Sequence, residues 1–351
     1  KRAGRVSRLG EKMPVVNQEQ YLEMLDSAKN GQFAYPAINV ANSQMLNAAL
    51  EGFEQAGSNG IIQVSTGGAD YFSGSAKKNR IQGAMAFAAF AKEAAKSYGI
   101  NVAIHTDHCA KDQLDGFVMP LLALSEEQVK KTGEPIFNSH MWDGSAIDLD
   151  ENLAIAQDLL KRAENVGSIL EIEVGAVGGE EDGVVGASGE HLYTTIEDGI
   201  KTVETLGLGE NGRYMTALTF GNVHGVYKPG NVVLKPELLQ EIQTAVGEKY
   251  GKQKPFDLVF HGGSGSSEKE IADAVSFGVI KMNIDTDTQY AFTRPVADHM
   301  FKNYDGVLKV DGEVGNKKTY DPRAWGKLAE AGMVQRVIEA CNQLGSAGKA
   351  S

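Results

Sequence analysis

Short β-branched and apolar runs alternate along the chain with longer stretches whose apolar residues recur every three or four positions. The short runs fall at 34–40, 60–65, 101–105, 135–140, 169–174, 215–220, 258–261 and 279–284, and each is read as a strand. Between them Leu46, Ala49, Leu50 and Phe53 keep helical spacing, as do Leu153, Ala156, Leu160 and Ala163. Strand and helix in steady alternation predict parallel βαβ units, and eight of them predict an α/β protein built as a closed (β/α)8 TIM barrel. After residue 285 the pattern stays helical, a C-terminal extension. The alternative is an open doubly wound sheet, but no GxGxxG follows the first strand to mark a dinucleotide crevice. Polar residues also gather just past each strand: Asn39, Ser65, Asp107 with His108, Asp143, Glu173, His224, Gly262 to Ser266, and Asn283 with Asp285. Barrel enzymes carry their active sites at that end of the strands.

No internal repeat or low-complexity linker divides the chain, so residues 13–351 are read as one barrel domain. Residues 1–12, with Lys1, Arg2, Arg5, Arg8 and Lys12, are read as a disordered tail or a non-native remnant ahead of Met13-Pro14. At 351 residues with 42% hydrophobic content, there is enough chain to bury a large core. A net charge of −12 opposes binding to nucleic acid or an anionic membrane surface, so neither is expected as a partner, and any phosphate must be held by local donors. No apolar stretch is long enough to span a bilayer. Cys109 and Cys341 are far apart and form no CxxC, which argues against a disulfide framework or a thiolate zinc site and fits a reducing cytoplasm.

The candidate chemistry begins with histidine. His108, His224 and His261 each stand where an apolar run breaks, two of them beside glycine. Three imidazoles at three strand ends supply what a catalytic zinc needs, three neutral nitrogen ligands and an open position. His105 and His140 compete for the role, but are read as neighbours or core groups; Cys109 is read as packed behind its strand. Asp107, next to a ligand, is placed for proton transfer or for orienting a histidine. Glu171 and Glu173 share one strand face and lead into Gly178-Gly179-Glu180-Glu181-Asp182-Gly183, read as a mobile acidic loop that carries a base. The loop Gly262-Gly263-Ser264-Gly265-Ser266 precedes a helical pattern, so its amides and the helix N-terminus predict an anion site, with Asn283 to Thr288 beside it. Asn39 and Ser65 lie on the first two strands, where a second anion could bind if Lys317 or Arg323 reached it.

From about Met13 onward the chain resembles the class II, metal-dependent fructose-1,6-bisphosphate aldolases, in their longer-chain subgroup. The resemblance rests on His105-Thr106-Asp107-His108-Cys109, on 178–183, 220–230, 260–266 and 281–288, in order and spacing. It implies reversible cleavage of fructose 1,6-bisphosphate to dihydroxyacetone phosphate and glyceraldehyde 3-phosphate through an enediolate. By the same matching His108, His224 and His261 are implied as zinc ligands, Asp107 as the acid/base at the C4 oxygen, and Glu181 as the loop base. Asp143, Glu173 and Glu180 are implied as carboxylates behind the ligands or at an alternate metal position. Gly225, Gly262, Ser264, Asp285 and Thr286 are implied at the C1 phosphate, and Asn283 at the substrate hydroxyls. Asn39, Ser65, Lys317 and Arg323 are implied at the other phosphate, with the arginine given by a partner subunit, hence a homodimer or larger assembly. A monovalent cation, Na+ or K+, is implied near the Val223 and Gly225 carbonyls. Val40-Ala41 departs from the family pattern, which bears on that second phosphate pocket. A tagatose-bisphosphate aldolase would use the same chemistry, a Schiff-base aldolase would use Lys281, and a sugar-phosphate binding protein would bind without turnover.

Overall fold

A computed structural model describes residues 15–181, 184–185, 192–224, 233–308 and 315–350, with backbone alone at 179–181 and 184–185. Eight parallel strands close into a barrel in chain order. They are β1 (Tyr35–Asn39), β2 (Gly60–Val64), β3 (Val102–Thr106), β4 (Ser139–Trp142), β5 (Ile169–Val174), β6 (Tyr214–Leu218), β7 (Leu258–Phe260) and β8 (Val279–Ile284). β1 pairs with β8 in register Ala37 to Asn283, which seals the ring. The strand expected at 135–140 begins later, at Ser139. Asn138, just before it, bonds the Val16 carbonyl and the Ile104 amide through its side chain, while its backbone already reaches Ile104 and Ile169 on the neighbouring strands.

Period-two alternation divides the barrel interior into two zones. Near the amino ends of the strands Tyr35, Ala37, Ile61, Ala103, Ile169, Met215 and Val259 form an apolar floor. The helix Gln18–Gly31 closes it from below with Tyr21, Met24, Leu25 and Ala28. Asn17 and Gln20 fix the start of that helix as a reciprocal capping box, an arrangement whose cap is worth about 1 kcal/mol. One residue pair further up each strand the lining turns polar, with Asn39, Gln63, His105, Asp107, Ser139, Glu171, Glu173, His261, Lys281 and Asn283 all buried. Burying so many polar groups is costly unless they satisfy one another. Most of their atoms do, while Gln63 Oε1, His105 Nε2 and Glu171 Oε2 make no hydrogen bond among the described residues, the last two facing each other at 3.4 Å.

The helical patterns hold. Leu46, Ala49, Leu50 and Phe53 are buried on helix Ser43–Ala56, and Leu153, Ala156, Leu160 and Ala163 on helix Leu149–Val166. Past β8 the chain makes an excursion through helices Thr286–Lys302, Tyr304–Val307 and Lys317–Tyr320. The last long helix, Pro322–Gln343, then returns to pack against β1, Ser43–Ala56 and Glu268–Ser276. The helical C-terminal extension is thus present, and its last helix lies against the barrel beside β1. No helix among the described residues is long and apolar enough to cross a membrane.

Candidate metal centre and acid–base site

Asp107 and His108 follow β3 directly, and in an extended strand their side chains would point to opposite faces. The backbone resolves this by turning left-handed at His108, where φ is +31°. That conformation costs a non-glycine residue of order 1–3 kcal/mol and brings both side chains into the mouth. His108 Nδ1 bonds Asp143 Oδ2 at 2.9 Å and lies 3.9 Å from Glu173 Oε2. The His108 ring centroid is 4.7 Å from that of His261 and 5.1 Å from that of His224, with His224 and His261 6.5 Å apart. The three expected imidazoles thus converge from the ends of β3, β6 and β7.

Two sets of donors come close enough to share an ion: Asp107 with His108 and His261, and His108 with Asp143 and Glu173, each with its ligand atoms within 4.8 Å. His224 flanks both. Burial pushes His224 down to about 3, which keeps its ring neutral and able to ligate at neutral pH. His261 behaves otherwise: burial would lower it, but bonds to Glu171 at 2.7 Å and Glu173 at 3.1 Å push it up to about 9. A metal would take the nitrogen that faces Glu173, near His108, and release one proton from the ring. Burial would also raise Asp143, yet bonds from His108 and Ser145 hold it well below the usual carboxylate range. Burial and the neighbouring Asp143 charge raise Glu173. Imidazoles backed by the ionised Asp143, with Glu173 beside it, fit a divalent cation, whose charge would favour the ionised form of Glu173.

Asp107 is held at both oxygens. Asn39 Nδ2 donates to Oδ2 at 2.9 Å and Asn283 Nδ2 donates to Oδ1 at 3.0 Å. Each amide is fixed in turn, Asn39 by Gln63, its register partner on β2, at 2.6 Å and Asn283 by Lys281, two residues below it on β8, at 2.6 Å. Burial would raise Asp107, but the positive groups around it, His108 and Lys281 foremost, bring it below its ordinary value. The carboxylate is thus ionised and aimed, the state a base needs. Asn39, assigned from sequence to a phosphate, spends its amide on Asp107, an outcome the lone polar residue at a strand end did not reveal.

The remaining candidates divide. Segment Gly178–Glu181 is a strand and not a free loop; Gly178 and Gly179 pair with Val223 and His224, so its backbone docks on the His224 segment. The Glu180 and Glu181 side chains and Gly225 lie outside the described residues. Gly262 and Ser264 sit in the turn after β7, Gly262 at φ +59°. The helix beyond starts at Glu268 and its end is taken by a Ser267–Glu270 capping box with two acidic residues in the first turn, which does not favour an anion there. The helix that opens at Thr286, directly after β8, has Asp285 as its N-cap residue and Asp287 in its first turn. Ser65 caps helix Thr66–Phe72 by accepting from Gly68. Arg323 is 83% exposed and turned onto Asp321, and Lys317 opens a short exposed helix; within one chain neither is drawn into the polar barrel lining. His105 bonds Ser139 and faces Glu171, and His140 bonds Thr106, so both serve the interior. Cys109 is buried in the helix-side core.

A closed parallel barrel that gathers imidazoles and an ionised, clamped carboxylate at the carboxyl ends of its strands defines a metal-dependent barrel enzyme. Residues 19–349 match the profile of the family "Fructose-bisphosphate aldolase class-II". The chain is 64% identical over 340 residues to a fructose-bisphosphate aldolase of Streptomyces coelicolor, covering 96% of this chain and 99% of the relative. It is 60% identical over 340 residues to one of Mycobacterium tuberculosis, with the same coverage. The crystal structure of the Campylobacter jejuni fructose-bisphosphate aldolase superposes with a TM-score of 0.86 at 39% identity, over 96% of this chain and 97% of that one. The chain belongs to the class II fructose-bisphosphate aldolase family, which is metal-dependent.

Proposed function

We propose that the protein carries out reversible, zinc-dependent aldol cleavage of D-fructose 1,6-bisphosphate to dihydroxyacetone phosphate and D-glyceraldehyde 3-phosphate. The observation that carries this reading is the doubly clamped Asp107 beside the His108–His261 pair at the barrel mouth. His108, His224 and His261 would hold the zinc, with Asp143 and Glu173 behind them. The chemistry a bound zinc supplies is polarisation of the ketose oxygens, which acidifies the neighbouring C–H.

The chain's own residues do the rest. In the cleavage direction Asp107 accepts the C4 hydroxyl proton, a task that suits an ionised carboxylate, and in condensation it returns that proton to the new alkoxide. Glu181 moves the proton at the carbon next to the ketone; the pairing of Gly178 and Gly179 with the His224 segment supports this, since it brings the acidic segment alongside. Asn283 positions the substrate hydroxyls, and Gly225, Gly262, Ser264, Asp285 and Thr286 hold the C1 phosphate. Ser65 and Lys317 take the other phosphate with Asn39 nearby and Arg323 supplied by a partner subunit.

Among the described residues, six of the nine exposed large apolar side chains lie on the excursion and the start of the last helix: Tyr290, Phe301, Tyr304, Leu308, Tyr320 and Leu328. Exposed apolar side chains concentrated in one stretch of the chain support a homodimer through that region. Two free, buried cysteines support a reducing, cytoplasmic setting. A monovalent cation beside the Val223 carbonyl completes the site.

The test is metal analysis of the purified protein combined with a coupled cleavage assay on the fructose and tagatose bisphosphates. The reading predicts bound zinc and a clear preference for fructose. Preference for tagatose would move the assignment to the epimer, and absence of turnover on both would leave only a binding protein.

A further inference from the structure

Lys281 is a fully buried cation in the polar zone of the barrel, and neither metal binding nor proton transfer accounts for it. It lies on β8 at the level of Tyr35 and Val259, two residues below Asn283. Its ammonium has two acceptors. Asn283 Oδ1 accepts at 2.6 Å, and Glu171 Oε2 lies 2.8 Å away, an ion-pair contact without hydrogen-bond alignment. Each acceptor is itself the support of a group at the mouth. Asn283 gives its amide N–H to Asp107, and Glu171 meets His261 Nε2 with its other oxygen at 2.7 Å. From β3, His105 Nε2 also faces Glu171, at 3.4 Å.

We propose that Lys281 is a positioning residue that locks the Asp107 carboxylate and the His261 ring to one another through Asn283 and Glu171. A buried ion pair is weak as a source of stability, because desolvation offsets its attraction, so its directional consequences matter more. With the ammonium present, the Asn283 carbonyl must face down and its N–H must face Asp107. Glu171 is drawn toward β8, and its second oxygen then holds the Nε2 side of His261, leaving Nδ1 for the mouth. Carboxylates placed behind a ligating histidine fix its tautomer and ring orientation in this way. The same cation that aims the acid/base therefore aims the ligand. The two poles of the reaction, proton and metal, share one hinge point beneath the mouth.

The inference rests on the reading of His261 as a zinc ligand and of Asp107 as acid/base, and the experiment separates the two. Histidine-selective 15N labelling reports the His261 tautomer with and without added zinc, zinc affinity is measured by competition with a chromophoric chelator, and kcat and KM are measured for cleavage. In the natural protein, zinc is expected to shift the His261 ring signals and leave a single Nε2–H tautomer. In Lys281→Met, mixed tautomers, a ten- to hundredfold weaker zinc affinity and a fall in kcat larger than any rise in KM are expected. If that variant does not fold, Lys281→Gln, which leaves Glu171 in place, carries the same measurements and the same expected losses. A variant with the natural tautomer and zinc affinity overturns the positioning role while the zinc reading stands. His261 signals in the natural protein that ignore zinc overturn both.

Discussion

Replacing Gly262 by alanine separates two costs that the structure allows to be estimated. Gly262 follows His261 and has φ +59°, a left-handed conformation that costs a residue with a Cβ about 1–2 kcal/mol. An added Cβ would also stand 2.8 Å from the Val223 carbonyl carbon and oxygen and 3.0 Å from its nitrogen, all backbone atoms that cannot swing aside. Ordinary contact begins near 3.4 Å, so the segments bearing His261 and His224 must part by about 0.6 Å. Overpacking of this kind adds roughly 1–3 kcal/mol. The total, about 2–5 kcal/mol, corresponds to a Tm lower by roughly 4–10 °C, taking about 2 °C per kcal/mol for a large domain. More important, functional constellations tolerate displacements of only about 0.5 Å, so zinc affinity should fall by about tenfold or more. Gly133→Ala supplies the control, because Gly133 has φ +85° and nothing within 4 Å of its would-be Cβ. Melting of the metal-free proteins and calorimetric zinc titration read both quantities. If Gly262→Ala loses no more stability than Gly133→Ala and binds zinc as tightly, the argument that this turn sets the spacing of two ligands is wrong.

Other consequences are open to direct measurement. Glu181→Ala should abolish exchange of the dihydroxyacetone phosphate C–H proton with solvent, whereas Asp107→Ala should retain that exchange and lose cleavage; equal, natural exchange rates in both variants would refute the division of labour. Burial lowers His105 and His140 to about 3, so between pH 6.5 and 3 the unfolded chain binds more protons at these rings and stability falls as pH falls, by roughly 3 kcal/mol per ring at pH 4.5. Denaturant unfolding from pH 7 to 4.5 should therefore be less steep for His140→Gln, by about 1.4 kcal/mol per pH unit, and parallel profiles would contradict the shift. Phe301→Glu, at a side chain 81% exposed, should shift sedimentation toward the monomer without unfolding the barrel, and an unaltered sedimentation coefficient would remove Phe301 from the interface.

The barrel was legible because its eight strands carry dense apolar runs and its helices keep a clear 3.6-residue period, as at Leu46 to Phe53. What remained hidden is informative. Period two alone would set Asp107 and His108 on opposite faces, and only the left-handed turn at His108 reconciles them. Gly178 and Gly179 read as loop formers, yet they pair with Val223 and His224, because strand pairing between distant segments leaves no local signature. Gln63 and Lys281 were available to parity reasoning, each two residues from an inward position, Ile61 and Asn283. What could not be read was which side chain each would meet, since that depends on neighbours from other strands. The same limit explains Asn39, whose amide is committed to Asp107 across the barrel. The C-terminal helical extension was legible from its pattern, but not where Pro322–Gln343 would dock, which the structure places beside β1.

The central claim is that the His108, His224 and His261 cluster makes cleavage depend on a bound metal. The most direct measurement is a cleavage assay on fructose 1,6-bisphosphate with protein exhaustively treated with chelator, its metal content determined, and zinc then added back in stoichiometric steps. The account predicts no turnover without metal and recovery that saturates near one zinc per chain. Full activity in protein demonstrably free of metal would contradict it.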